Sequence, residues 1–425
     1  MQKTTSTALK EKAILVGVLD GNLRFRNSEM LDELENLAET AGAIVIDKVV
    51  QKRDAVSPKY YIGAGKVDEL ADLVQERDID IVIFDNDLTP AQIRNMELAL
   101  GTKVIDRTEL ILDIFATHAR THQAKLQVEL AQLEYTMPRL RRMWTHLSRQ
   151  EGSLGIAQRG PGEKQIEVDR RLARNRIAAL HKEISQLERR KQREISKRSE
   201  NYTISLVGYT NAGKSTLMKT LTGADVYIDD KLFSTLDTRT RVWKFRSGFK
   251  VLLSDTVGFI KALPHNLIAS FHATLEEVSS ADLLLHIVDA SHPNVLEQIQ
   301  SVHSVLAELG CNTKQMLLVL NKIDKMTDRV TLTMIENRFP EAIPISALAT
   351  TNLDKLEHRI EGIISERLYE LDIQLPFAEG KLLSELSEQG RILKKEFTND
   401  HALLKIRIPR KDLYKFENYR NGVKI

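Results

Sequence analysis

The chain has 425 residues, a length for about three domains, and its apolar (42%) and charged (28%) shares exclude a disordered or fibrous protein. A single cysteine, Cys311, excludes an internal disulfide framework and suits a reducing compartment. The first residues carry no apolar core of signal-peptide type, and no apolar run approaches the ~20 residues that span a bilayer. A cytoplasmic protein without stable membrane insertion is expected, with peripheral membrane association still open. The net charge of +2 hides a local basic concentration in the second region of the chain.

Residues 12–106 alternate strand-like and helix-like patterns. Strands are predicted over 13–18, 43–50, 79–84 and 103–105. Helices are predicted over 28–41 with Ser28 as N-cap, over 65–77, and from Thr89, where Pro90 takes the first helical position. This alternation predicts a small parallel α/β domain over residues 1–107. Its Gly63-Ala64-Gly65-Lys66 lacks the four-residue spacer and the following Ser or Thr of a phosphate loop, and reads as a turn entering a helix.

From Leu126, apolar residues recur at Leu130, Leu133, Met137, Leu140, Trp144 and Leu147, a heptad spacing in which Pro138 should kink or open the helix. A second helix, predicted over 165–197, repeats the spacing at Ile166, Ala173, Ile177, Leu180, Ile184 and Leu187. The connection between them, 152–163, holds too many glycines and prolines for regular structure. An antiparallel helical hairpin over 108–200 is therefore predicted, its second arm roughly 50 Å long. Arg139, Arg141, Arg142 and Arg149 precede the connection, and Arg170, Arg171, Arg174 and Arg176 follow it. Charge on a long helix is usually only a solvated face. Its crowding towards the tip favours a polyanion, with RNA phosphate leading and Arg159, Lys164, Arg170 and Arg171 as candidate contacts. His118 and His122 have the i, i+4 spacing of a metal pair, but no third ligand accompanies them, and no metal site is assigned.

The chemistry sits in the third region, 201–369. An apolar run, 204–207, leads into Gly208, Tyr209, Thr210, Asn211, Ala212, Gly213, Lys214, Ser215 and Thr216, and a helix is predicted to 222. Strand, glycine-rich turn and helix start are the context in which this pattern binds phosphate. Backbone N–H groups curl around the polyphosphate, Lys214 reaches the β- and γ-phosphates, and the Ser215 hydroxyl ligates Mg²⁺. Strand 250–254 ends in Asp255, Thr256, Val257 and Gly258: a carboxylate for the Mg²⁺ environment and an N–H for the γ-phosphate. Upstream, Phe233, Ser234, Thr235, Leu236 and Asp237 form the candidate first switch. Thr235 is the candidate γ-phosphate-dependent Mg²⁺ ligand, and Thr238 and Thr240 compete for that role. Strand 316–320 runs into Asn321, Lys322, Ile323 and Asp324, an element that resembles the guanine-specificity motif of GTPases. A carboxylate there accepts two hydrogen bonds from guanine that adenine does not offer, the strong form of substrate discrimination. Ser346, Ala347 and Leu348 follow another short apolar run and resemble the last element of the GTPase set. The catalytic candidates are Lys214, Gly258 and Thr235. Residues 370–425 are predicted as a small α+β domain: a helix over 380–389, strands over 392–398 and 402–408 turning at Asn399-Asp400, then 410–419.

In this order, Gly-Tyr-Thr-Asn-Ala-Gly-Lys-Ser, Phe-Ser-Thr-Leu-Asp, Asp-Thr-Val-Gly-Phe-Ile and Asn-Lys-Ile-Asp resemble the Obg/HflX group of bacterial P-loop GTPases. Arg-Thr-His-Gln-Ala-Lys-Leu-Gln-Val-Glu-Leu from Arg120, and Arg-Gly-Pro-Gly-Glu from Arg159, resemble HflX in particular. The resemblance implies a GTPase that binds the large ribosomal subunit, sets its hairpin loop towards ribosomal RNA, and splits stalled ribosomes under heat or other stress. A monomer is expected. Phe259 stands where many GTPases carry a water-orienting Gln, so unaided hydrolysis should be slow. Two other readings stand beside this one: a GTP-regulated RNA chaperone or assembly factor without splitting activity, and an ATP-driven RNA remodeller, which Asp324 disfavours.

Overall fold

The computed structural model describes residues 10–20, 31–139, 161–197, 202–223, 232–233, 238–260, 277–326, 329–366, 368–388, 392–398 and 400–420. The chain divides into two compact units. One comprises 1–192 with 229–237 and 262–273; the other comprises 193–228, 238–261 and 274–425.

In the first unit, β1 (Lys12–Asp20), β2 (Ile44–Arg53), β3 (Ile81–Phe84) and β4 (Lys103–Asp106) form a parallel sheet in the order β2-β1-β3-β4. Strand β3 is buried along its whole length and β1 along most of it, which explains their unbroken apolar runs. Helices α1 (Asp32–Ala41), α2 (Ala64–Glu76) and α3 (Pro90–Leu100) return the chain. The N-cap of α1 is Leu31 rather than the predicted Ser28, which lies outside the described residues. Gly63 is the N-cap of α2, as the turn reading requires, and α3 opens on a Thr89–Gln92 capping box with Pro90 behind it.

The helical region departs from its predicted pattern. Helix α4 (Arg107–His118) ends, and α5 (His122–Thr136) begins anew behind a Thr121 cap. His118 and His122 therefore lie on different helices. Helix α5 stops two residues before Pro138, which has no N–H to continue the helical hydrogen bonds. The second arm, α6 (Pro161–Lys197), starts earlier than predicted, so Gly162 and Glu163 are helical and not part of the connection. Proline at the first helical position lacks only an N–H that a helix start leaves unpaired. Residues 140–160 lie outside the described residues, and with them Leu140, Trp144, Leu147 and Arg159. The seam between the arms is the predicted heptad set: Leu126, Leu130, Leu180 and Ile184 buried, with Leu133, Ile177 and Leu187 against them.

The base of the first arm is tied to the sheet by a buried polar knot. Asp106, at the end of β4 and 0% exposed, accepts from the Glu109 N–H (2.9 Å), Tyr135 Oη (2.5 Å) and Arg139 Nη2 (2.9 Å). The Arg139 guanidinium also lies 3.2 Å from the centre of the Tyr135 ring. Burial raises the Asp106 carboxyl, and the hydrogen bonds and Arg139 oppose it.

In the second unit, β5 (Tyr202–Gly208), β6 (Arg239–Lys244), β7 (Lys250–Asp255), β8 (Leu283–Asp289), β9 (Met316–Asn321) and β10 (Ile343–Pro344) form one sheet in the order β10-β9-β8-β5-β7-β6. Only β6 runs antiparallel, paired to β7. Helices α7 (Lys214–Thr222), α8 (Val295–Glu308), α9 (Arg329–Arg338) and α10 (Leu353–Glu366) accompany it. One face packs Ile204, Leu206, Leu285 and Ile287 against Leu217, Leu356 and Ile360; the other sets Val288 and Leu320 against Val295, Ile299 and Ile335.

The C-terminal region is a three-stranded antiparallel sheet, β11-β13-β12, of β11 (Leu368–Pro376), β12 (Ile392–Phe397) and β13 (His401–Pro409). The predicted hairpin is β12–β13; β11 is a further strand that crosses the boundary drawn at 369. Its Leu371, Ile373 and Leu375 alternate inward onto the core beneath α11 (Gly380–Glu388) and a 3₁₀ segment, Arg410–Tyr419.

Candidate nucleotide-binding site

Strand β5 delivers the chain into a loop that only glycine permits at two points. A Cβ on Gly208 would stand 2.1 Å from the Ile287 carbonyl oxygen, and one on Gly213 2.2 Å from Asn321 Nδ2. Gly213 also takes φ +92° as the N-cap of α7, with no side chain capping the helix, so the first-turn N–H groups remain for a ligand. Tyr209, Thr210, Asn211 and Ala212 form the loop, and Ser215 and Thr216 the first turn of α7.

Lys214 is 6% exposed, and its ammonium donates to the Gly208 and Tyr209 carbonyls at 3.0 and 2.7 Å. Burial lowers its pKa to about 8, with Asp255 opposing the shift. The Ser215 hydroxyl donates to Asp255 Oδ2 at 2.7 Å, and Asp255 is fully buried at the end of β7. Two adjacent hard oxygen donors beside a phosphate loop suit Mg²⁺. Thr256 turns its hydroxyl away to the Leu206 carbonyl (2.6 Å) and locks the strand end. Gly258 lies against the loop: a Cβ there would meet Thr210 Cγ2 at 2.7 Å and Lys214 Nζ at 3.0 Å. Phe259 holds it there through its backbone, donating to the Gly208 carbonyl and accepting from Thr210 N–H, while its side chain is buried. Val257 is buried between them.

The guanine elements converge on the same loop. Asn321 joins three segments, its Nδ2 donating to the Ala212 carbonyl (2.9 Å) and its Oδ1 accepting from the Ala347 N–H (2.9 Å). The Ala347 N–H is thus taken up by Asn321 within the protein. Thr220 of α7 donates to the Ala347 carbonyl at 3.0 Å. The buried Ser346 hydroxyl donates to Asp324 Oδ1 and aims an exposed carboxylate outward. Lys322, at φ +63°, pairs with Asp289 at 2.7 Å, and Ile323 opens a short 3₁₀ turn. Leu348 is 76% exposed. Thr220 and Asp289 escaped the sequence reading; Asp289, an acid directly after an apolar strand, was the one visible signal.

The first switch is only partly described. Ser234, Thr235, Leu236 and Asp237 lie outside the described residues. The competitors for the Thr235 role are engaged elsewhere: Thr238 donates to Glu277 (3.0 Å), and Thr240 pairs with Ser254 across β6 and β7. Phe233, grouped in sequence with the nucleotide contacts, is instead buried in the N-terminal unit against Phe115. Of the RNA candidates, Arg170 is half-buried and Arg171 exposed on α6; the Lys164 side chain lies outside what is described. Arg139 and Arg176 are used within the protein, by Asp106 and by a two-pronged pair with Glu129 (2.6 and 2.7 Å).

Beneath the loop, His286 of β8 is 1% exposed, and neither ring nitrogen has a hydrogen-bond partner. Burial pushes its pKa down to about 3, with His303 (centroids 5.3 Å apart) and Lys214 adding to the shift.

The arrangement has the parts for holding a guanine nucleotide and for stabilising charge on its phosphates. The matching families and curated relatives are GTPases. The family described as GTP-binding GTPase N-terminal matches residues 28–116, GTP-binding GTPase Middle Region matches 118–198, and 50S ribosome-binding GTPase matches 203–322. The GTPase HflX of Caldanaerobacter subterraneus subsp. tengcongensis is 44% identical over 390 residues, 91% of this chain and 89% of that protein. That of Escherichia coli K12 is 42% identical over 405 residues, 94% of each. A GTP-binding protein from the archaeon Sulfolobus solfataricus, solved with GDP, is 27% identical with a TM-score of 0.44, covering 84% of this chain and 99% of that one.

Proposed function

From the premise that this chain belongs to the HflX family of GTPases, we propose that it binds the large ribosomal subunit and splits stalled ribosomes in its GTP state. Hydrolysis then releases it. The protein acts in the cytoplasm, under heat or other stress, as a monomer.

As a GTPase it works by in-line attack of water on the γ-phosphate. Lys214 and the N–H groups of the loop and of α7 stabilise the charge that gathers on the phosphate oxygens. Lys214 must first leave the Gly208 and Tyr209 carbonyls, which hold its ammonium at the mouth of the loop. Ser215 and Asp255 would hold Mg²⁺, which would neutralise charge on the phosphates. Gly258 offers its N–H beside the Lys214 ammonium, and Thr235 is the proposed γ-phosphate sensor. Asp324, aimed by Ser346, selects guanine.

The observation that carries the ribosomal reading is Phe259. Its ring is buried and its backbone is tied to the phosphate loop, so no side chain at this position orients the attacking water. A site built to bind and not to hydrolyse quickly suits an enzyme whose partner completes it. The basic hairpin, with Arg170, Arg171, Arg159 and Lys164, is the proposed contact with ribosomal RNA.

Sedimentation of intact ribosomes through sucrose with this protein and GTP, a non-hydrolysable analogue, GDP or ATP tests the proposal. Subunits should separate with GTP or the analogue and not with GDP. Riding on the large subunit while intact ribosomes stay whole would replace it with the chaperone or assembly-factor reading.

A further inference from the structure

Asp289 closes β8 and stands in register with Asn321, the last residue of β9. Its carboxylate has two sets of partners. Oδ2 takes the Lys322 ammonium at 2.7 Å, and Oδ1 accepts from the Ser291 N–H (3.0 Å) and hydroxyl (2.6 Å). The ion pair is mostly buried, with the Lys322 and Asp289 side chains 16% and 17% exposed. Lys322 itself holds a left-handed backbone, φ 63° and ψ 31°. A residue other than glycine takes that conformation at a cost, which its surroundings must offset.

This strained residue lies between two fixed points. Before it, the Asn321 side chain is tied to the Ala212 carbonyl and the Ala347 N–H. After it, a single 3₁₀ turn over Ile323–Lys325 carries Asp324, whose carboxylate accepts from the Ser346 hydroxyl. Resting on Asp324 as the carboxylate that reads guanine, we infer that Asp289 is a positioning residue for guanine recognition: it latches Lys322 in the turn that presents Asp324 to the base.

The physical case is that of a hinge with one strained setting. With Asn321 fixed, the φ and ψ of Lys322 set the direction in which the chain leaves, and so the place of Asp324. A return of Lys322 to an ordinary right-handed or extended backbone would swing Asp324 away from the base. The ion pair opposes that return from a neighbouring strand. Little water reaches the pair, so its attraction is screened less than that of a surface pair. The two Ser291 bonds keep the Asp289 carboxylate from turning to follow the lysine.

The test uses the full chain and three diphosphates that differ only in the base. Guanine offers Asp324 two hydrogen bonds, hypoxanthine one and adenine none. In Asp289→Asn, GDP affinity should fall about tenfold and IDP affinity about threefold, with ADP affinity unchanged. KM for GTP should rise by the same factor as the GDP loss, and kcat at saturation should hold, since the phosphates are untouched. Ser291 is exposed, so Ser291→Ala keeps the test open should Asp289→Asn disturb the fold; smaller losses in the same order are expected. A change common to GDP, IDP and ADP would overturn the inference. It would come through their shared diphosphate, because the Lys322 charge reaches Lys214. Unchanged GDP affinity in both variants would overturn it equally. Asp324→Asn separates the two layers: if it keeps the wild-type preference for GDP over ADP, the guanine reading itself has failed, whatever Asp289→Asn does.

Discussion

Lys214 shows how burial and function pull one residue in opposite directions. Its ammonium sits almost without solvent among backbone carbonyls, and its pKa falls to about 8. Polyphosphate beside it favours the charged form, so the bound pKa lies higher and binding takes up a proton above pH 8. GTP affinity should therefore fall as pH rises past 8, approaching about tenfold per unit. Calorimetry at pH 8.5 in buffers of different ionisation enthalpy checks this; heat independent of the buffer would contradict it. His286 carries the opposite liability. It is neutral in the fold, with a pKa near 3 against the usual 6.5. The unfolded chain binds the proton first as pH falls, so stability is intact above about 6.5 and drains away below it, by about 2 kcal/mol at pH 5. His286→Leu should flatten that loss in acid unfolding curves of the nucleotide-binding unit; an unchanged slope would place the acid sensitivity elsewhere.

At the scale of elements, the hairpin's arginines separate into those used within the protein and those proposed as polyanion contacts. Arg139 belongs to the Asp106 knot and Arg176 to Glu129, so these charges hold the arms and leave the polyanion role to others. Asp106→Asn leaves Arg139 half-buried without its carboxylate and should cost about 3 kcal/mol, the scale of breaking a buried pair. Hydrogen exchange in α5 would register it as faster opening of that arm. Replacing Arg170 and Arg171 with Gln should instead spare stability and weaken ribosome binding, with a shallower dependence on salt, as loss of phosphate contacts does. Unchanged binding at every salt concentration would exclude those side chains as contacts. The heptad spacing on both arms was legible because it is local and periodic. The break at Ala119–Thr121 was not: it depends on Asp106 and Thr121 capping successive helices, and the stretch 117–123 carries no glycine or proline to mark it.

For the whole molecule, the proposed ribosomal function makes hydrolysis a property of the complex, since the buried Phe259 offers no side chain to orient water. GTP turnover should be slow for the protein alone and rise at least about 100-fold with the large subunit, within the range that partner-supplied groups provide. Turnover that is fast alone and indifferent to ribosomes would remove the basis of the ribosomal proposal.

What the sequence determined by itself was whatever lies contiguous in the chain: the phosphate loop, the guanine element at the end of β9, the alternation of the N-terminal domain and the seam of the hairpin. Each is set by local geometry, a glycine where a Cβ would collide or a period that faces one side. Only the tertiary structure decided how distant residues divide the work. Asn321 ties Ala212 to Ala347, Thr240 is withdrawn into a sheet, Arg139 is claimed by Asp106, and Phe233 is seated on Phe115. Such partnerships form where the chain returns upon itself, and a hydrogen bond or a ring contact leaves no period in the sequence between its two ends.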